Sequence, residues 1–238
     1  MTARRIAVVS AGLSNPSSTR MLADRLAAAT VARLADPSTG SGTAVGSGTG
    51  VGSGTGIQAS VDTVELRDLA HDITNNLLTG FAPPALESAI NTVVSADGVI
   101  AVTPIFSTSY SGLFKSFIDV LDPDALTGMP VLIGANAGTA RHSLAIDYAI
   151  RPLFAYLHAE PVSTGVFAAS SDWGAAADDV APLSARVERG AREFAAAIAR
   201  RPAAQNADPL SPENYLDSFT RLLNAPKDGH LLGGLAGE

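Results

Sequence analysis

A chain of 238 residues, 46% of them hydrophobic, carries enough apolar material for one buried core and, with its low-complexity stretches set aside, has the length of one domain. Its 23 Asp+Glu against 16 Lys+Arg leave a net charge of -7, which excludes the basic footprint of a nucleic-acid binder and the polybasic clusters that hold proteins to anionic membranes. The absence of cysteine excludes disulfides, thiolate metal sites and iron–sulfur ligation together.

Two arginines lead directly into Ile6-Ala7-Val8-Val9, the first of five apolar runs of strand length. No signal-peptide h-region or cleavage signature is visible there and no apolar run reaches bilayer length, so a cytoplasmic protein is expected. Behind the first run comes Ser10-Ala-Gly-Leu-Ser-Asn-Pro-Ser-Ser-Thr19, then a helical stripe of Leu22, Leu26 and Ala29. Gly12 permits a tight turn, and Ser17, Ser18 and Thr19 set hydroxyls beside the free N–H groups of a helix start, a chemistry suited to a monophosphate. The same residues also describe an ordinary capped helix entrance, with Ser17 or Ser18 as N-cap after a Ser14-Asn15-Pro16 turn.

Residues 36–60 break the pattern: Val45-Gly-Ser-Gly-Thr-Gly50 recurs directly as Val51 to Gly56. Without the Lys-Ser/Thr of a P-loop this reads as a flexible insertion. The second apolar run is Val61 to Leu66. A crossover helix carries Leu86, Ile90, Val93 and Val94, followed by the third run, Gly98 to Val102. A second crossover helix shows Leu113, Phe114, Phe117, Ile118 and Leu121, ahead of the fourth run, Val131-Leu132-Ile133. Leu144, Tyr148, Leu153, Phe154 and Leu157 make a further stripe before the fifth run, Pro161 to Phe167. The last helix buries Leu183, Val187, Ala191, Phe194 and Ile198, and solvates Arg186, Glu188, Arg189, Arg192 and Glu193. Residues 202–238 form an extension in which Ser211 is placed to cap a short helix through Leu223.

This alternation predicts an α/β domain over residues 1–201: a three-layer α/β/α sandwich on a five-stranded parallel sheet. In doubly wound sheets of order 2-1-3-4-5, ligands sit beyond the carboxyl ends of strands one and three. The chemistry-bearing loops fall at such ends. Other chemistry is thin: His71, His142, His158 and His230 show no metal-ligand spacing, no Gly-x-Ser-x-Gly elbow is present, and Asp119, Asp122 and Asp124 read as surface acids.

Three of those loops, in this order, carry a resemblance, and the second and third carry its most recognisable segments. Thr103-Pro-Ile-Phe with Ser109-Tyr-Ser-Gly-Leu-Phe-Lys115 is similar to the flavin-edge segment of NADPH-dependent FMN reductases, which are flavodoxin-like proteins. Ala137-Gly-Thr-Ala-Arg-His-Ser-Leu-Ala-Ile-Asp-Tyr148 resembles the matching segment of the FMN reductases that feed alkanesulfonate monooxygenase. Within that superfamily the chain most resembles the actinobacterial branch partnered with luciferase-like monooxygenases.

The resemblance implies that Ser10, Ser17, Ser18 and Thr19 hold the FMN phosphate. It sets Thr103, Pro104, Ile105, Phe106 and Ser107 beside the isoalloxazine, Ser111 and Gly112 at a close approach, and Asn136, Ala137, Gly138 and Thr139 at the other edge. It further implies NADPH or NADH as hydride donor, a homodimer or homotetramer, Tyr148 at a subunit contact, and no catalytic acid or base. Asn15 stands where many members have arginine, and Ala137-Gly138-Thr139 where they have Gly-Gly-Thr, which implies exchangeable FMN. The rival readings are a quinone or azo-dye reductase that retains its FMN, a flavodoxin-type electron carrier, and a flavin-free interaction module on the same fold.

Overall fold

The computed structural model describes residues 3–36, 56–173 and 182–201. The repeat, most of the insertion and the extension with its Ser211 helix lie outside them. Strand β1 (Arg4–Ser10) runs through the sheet centre, flanked by β2 (Ala59–Glu65) and β3 (Gly98–Phe106). Beyond β3 lie β5 (Pro130–Ala137), β6 (Glu160–Pro161) and β7 (Val166–Ala169), all parallel. The path β2-β1-β3-β5-β6, with β7 also on β5, is the expected 2-1-3-4-5 order of a flavodoxin-like sandwich.

The strands are apolar on both sides because both faces are covered. Ala7, Val9, Val99, Ala101, Val131 and Ile133 face a core completed by α2 (Ala70–Thr79), α3 (Pro84–Val94) and α4 (Gly112–Asp119). Ile6, Val8, Ile100, Val102 and Leu132 face the opposite core, closed by α1 (Ser18–Ala35) and α6 (Leu183–Arg200). All five residues expected to be buried on the last helix are buried.

Three features depart from expectation. The fifth run is two short strands, because the Val162 and Ser163 carbonyls and the Thr164 amide turn to side-chain partners. Arg151 donates to the carbonyls of Val162 and Ser163, and the Glu193 carboxylate accepts from the Thr164 amide and hydroxyl. Glu193, expected in solvent, is thereby a tether. Secondly, Leu66 to Leu69 form a 3-10 turn leading into α2, which the sequence hid because Ile73 is its one buried side chain among polar neighbours. Thirdly, Leu144 and Tyr148 of the stripe before the fifth run are exposed, while its Phe154 and Leu157 are buried as expected and Ile146 and Ile150 complete the buried face. Residues 146–150 form a π-turn ahead of α5 (Arg151–Tyr156), and its extra residue per turn rotates the face that a 3.6-residue period assigns.

Candidate functional site

The start of α1 builds one wall. Ser17 is the N-cap, its Oγ accepting from the Arg20 amide at 3.2 Å, and the Asn15–Pro16 peptide before it is cis. A Cβ on Gly12 would sit 2.0 Å from the Ser17 Oγ, so only glycine lets the loop fold against its own cap. The buried Thr19 hydroxyl donates to Asn136 Oδ1 at 2.8 Å, and Asn136 Nδ2 donates to Ser18 Oγ at 2.9 Å. The end of β5 is thus bonded to the helix entrance. Ser10 Oγ, fully buried at the end of β1, is the one buried side-chain polar atom among the described residues without a hydrogen-bond partner.

Arg20 points away from this task. Its guanidinium pairs with Glu65 at 2.6 Å and Asp24 at 2.7 Å, and these bonds, Glu65 first, raise its pKa above the ordinary arginine value.

The end of β3 builds the second wall as a hairpin with β4 (Ser109–Tyr110), pairing Ile105 with Tyr110 and Phe106 with Ser109 in the antiparallel sense. Ser107 and Thr108 turn it with φ of 49° and 70°. Both central residues of such a two-residue turn need positive φ, where non-glycine residues are strained, and the turn holds Phe106 out from the sheet. Thr103 and Ser111 are buried and serve the hairpin's base. The Thr103 Oγ1 accepts from the Ser111 amide at 3.1 Å, and the Ser111 Oγ caps α4 by accepting from the Phe114 amide at 3.2 Å. Gly112 is the first residue of α4.

The end of β5 supplies Asn136, Ala137 and Gly138. Thr139 instead caps the short 3-10 turn Ala140–His142, accepting from the Arg141 amide. Ser18, Pro104, Ile105, Phe106, Asn136, Ala137 and Gly138 come together on one cavity of 310 Å³. Ser10, Ser17, Thr19, Thr103, Ser107, Ser111, Gly112 and Thr139 are not among its lining residues. Two further lining residues, Ser170 and Trp173, belong to the 3-10 turn that ends β7. The signal that could have found them is the position of the sole tryptophan, a few residues past the fifth apolar run.

The lining suits a planar, anionic ligand. A helix start and serine hydroxyls offer donors, an unsatisfied buried hydroxyl lies at the same sheet edge, and a Cβ on Gly138 would meet nothing within 4 Å. Among the described residues no group of three or more His, Asp or Glu could hold a metal ion, and no helix is long and apolar enough to cross a membrane.

Comparison with known proteins agrees with this chemistry. A family profile described as NADPH-dependent FMN reductase matches residues 4–174. The chain is 35% identical over 132 residues to an FMN reductase (NADPH) of Pseudomonas aeruginosa, covering 56% of this chain and 71% of that one. It is 34% identical over 128 residues to the NADH-dependent FMN reductase SfnE of Pseudomonas putida, covering 54% and 69%. Among solved structures, an oxidoreductase of Corynebacterium diphtheriae superposes with a TM-score of 0.73 at 42% identity, covering 85% of this chain and all of the other.

Proposed function

The chain belongs to the NADPH-dependent FMN reductase family and is an NAD(P)H:FMN oxidoreductase, and from that premise we propose that it hands reduced FMN to a partner monooxygenase of the luciferase-like kind. The observation that carries the flavin site is the closure of three strand-end loops, from β1, β3 and β5, on one cavity. When bound there, FMN would supply the acceptor for a hydride from the nicotinamide.

The protein's own residues bind and orient. Ser18 and the first amides of α1 receive the phosphate, with Ser10, Ser17 and Thr19 behind them. Pro104 and Ile105 form a rigid apolar floor at the end of β3, and Phe106 is held where an aromatic ring can be covered. Ala137 and Gly138 line the cavity where β5 ends, and their small side chains leave room there for the ring. No side-chain acid or base is required. The Asn136 bridge fixes the distance between phosphate wall and ring wall.

Transfer to a partner requires that flavin leave. The arginine nearest the phosphate loop is committed to Glu65 and Asp24, so the loop offers neutral donors in place of a cation. Steady-state turnover with free FMN and with a quinone tests this. Saturation by free FMN, with flavin lost on dialysis, is expected; saturation by quinone with flavin retained would replace the reading with that of a quinone reductase.

We further propose a homodimer or homotetramer. Leu77, Leu78 and Phe81 around the end of α2, and Leu144, Tyr148 and Tyr156 along the π-turn and α5, are large apolar side chains left exposed on the single chain. Size-exclusion chromatography with light scattering reads the assembly, and a Tyr148→Glu variant is expected to shift it toward monomer.

A further inference from the structure

We propose that Trp173 is a flavin-contacting residue, the wall of the cavity that the three family loops leave open. The inference rests on the reading of the cavity as the FMN site. Trp173 ends the 3-10 turn Ser170–Trp173 at the carboxyl end of β7, the neighbour of β5, and lines the same cavity as Ser18, Phe106 and Gly138.

Its place is fixed from two sides. On the chain before it, Asp172 accepts from the Ala169 amide at 2.7 Å and pairs with Arg186 of α6, whose guanidinium also donates to the Phe167 carbonyl. The turn is tied to the strand it leaves and to the helix that covers that strand. At the ring itself, the Arg25 guanidinium lies 4.7 Å from the indole centroid, within cation–π range. Arg25 follows Ser18 by seven residues on α1, two turns along one face, so one helix presents a hydroxyl to the cavity and a cation to the indole.

An indole with one face against a guanidinium has its other face and its edge for the core it packs on and the cavity it lines. Aromatic rings on nucleotide-like ligands add affinity through area and stacking, without chemistry in the reaction. Trp173 therefore governs how firmly flavin is held, and Arg25 is the positioning residue behind it.

The sequence has one tryptophan, so emission excited selectively at tryptophan, beyond the absorption of its four tyrosines, reports on this site alone. Titration of the protein with FMN is expected to quench that emission along the same curve that equilibrium dialysis gives for FMN binding. Trp173→Ala is expected to raise the FMN Kd and KM by about tenfold or more. The kcat at saturating FMN and the KM for NADPH should stay within about twofold of the parent, since the residue performs no proton or hydride step. Trp173→Phe should restore most of the affinity, and Arg25→Gln should give a smaller rise than Trp173→Ala. Emission that stays constant while dialysis shows FMN bound, or Trp173→Ala binding FMN like the parent, would overturn the proposal and leave the reductase reading intact. Failure of the parent protein to bind FMN in dialysis would instead remove that reading and this inference with it.

Discussion

Asn136 joins the two halves of the site, because one carboxamide accepts from Thr19 and donates to Ser18 while its backbone ends β5. Asn136→Ala leaves the buried Thr19 hydroxyl without that partner, a loss of about 1–3 kcal/mol, and should raise the FMN KM roughly ten- to a hundred-fold with kcat nearly unchanged. Gly12→Ala puts a methyl group into the Ser17 hydroxyl and should cost about 1 kcal/mol of helix capping, visible as a lower melting temperature together with weaker FMN binding. Much at this scale was legible: serine and threonine hydroxyls before an apolar helical stripe mark a cap, and the cap is Ser17. The Asn136 bridge was not legible, since nothing in a strand-ending asparagine names a helix 117 residues away. The same limit applies to Thr103 and Ser111, whose hydroxyls are spent on each other's segment and on the α4 cap.

The strand ends and their turns hold the interest at the scale of elements. The β3–β4 turn places serine and threonine where φ is positive, a conformation that Asn-Gly adopts with less strain. Replacing Ser107-Thr108 by Asn-Gly should stabilise the protein by roughly 0.5–1 kcal/mol, read as a higher denaturant midpoint, with a changed FMN KM if Phe106 is repositioned. Gly98 lets α6 approach the start of β3: an added Cβ would lie 2.8 Å from Phe194 and 2.9 Å from Ile198. Gly98→Ala should therefore destabilise by about 1–3 kcal/mol through overpacking. Long, strictly periodic elements such as α6 could be read from residue pattern alone. The π-turn could not, because one extra residue shifts the apolar face and the stripe through Leu144 and Tyr148 then points to solvent. Nor could α2, which buries Ile73 alone and rests on its packing against the rest of the domain.

Over the whole molecule, the edge of the sheet opposite the site is held by a buried ion pair. Arg4 donates to Asp97 at 2.9 Å and to the Arg201 carbonyl, while Asp97 also accepts from the Arg5 amide. Asp97→Ala strands a buried guanidinium and should cost about 3–5 kcal/mol of unfolding free energy, measured by denaturant titration, with FMN affinity little changed because the site lies at the other edge. The pH behaviour follows from Arg20. Its pairing with Glu65 and Asp24 raises its folded-state pKa, so that contribution is fully present below the ordinary arginine range and is lost only as pH rises through the raised value. The stability difference between the parent and Arg20→Gln should accordingly stay constant between about pH 6 and 9. The fold class was legible because βαβ alternation admits few topologies, and the rule that ligands gather at the switch point of such sheets points to strand ends that here line one cavity. Trp173 was hidden for the complementary reason: it reaches the cavity from the last strand, away from the loops that carry the family resemblance.

Transfer of reduced FMN, as proposed, requires a flavin that comes and goes. Following nicotinamide absorbance as NADPH is mixed with dialysed protein and increasing free FMN tests it most directly. Oxidation that is absent without FMN and saturates hyperbolically as free FMN is added is the predicted result. Oxidation that proceeds at full rate with no added FMN, or that never begins, would contradict it.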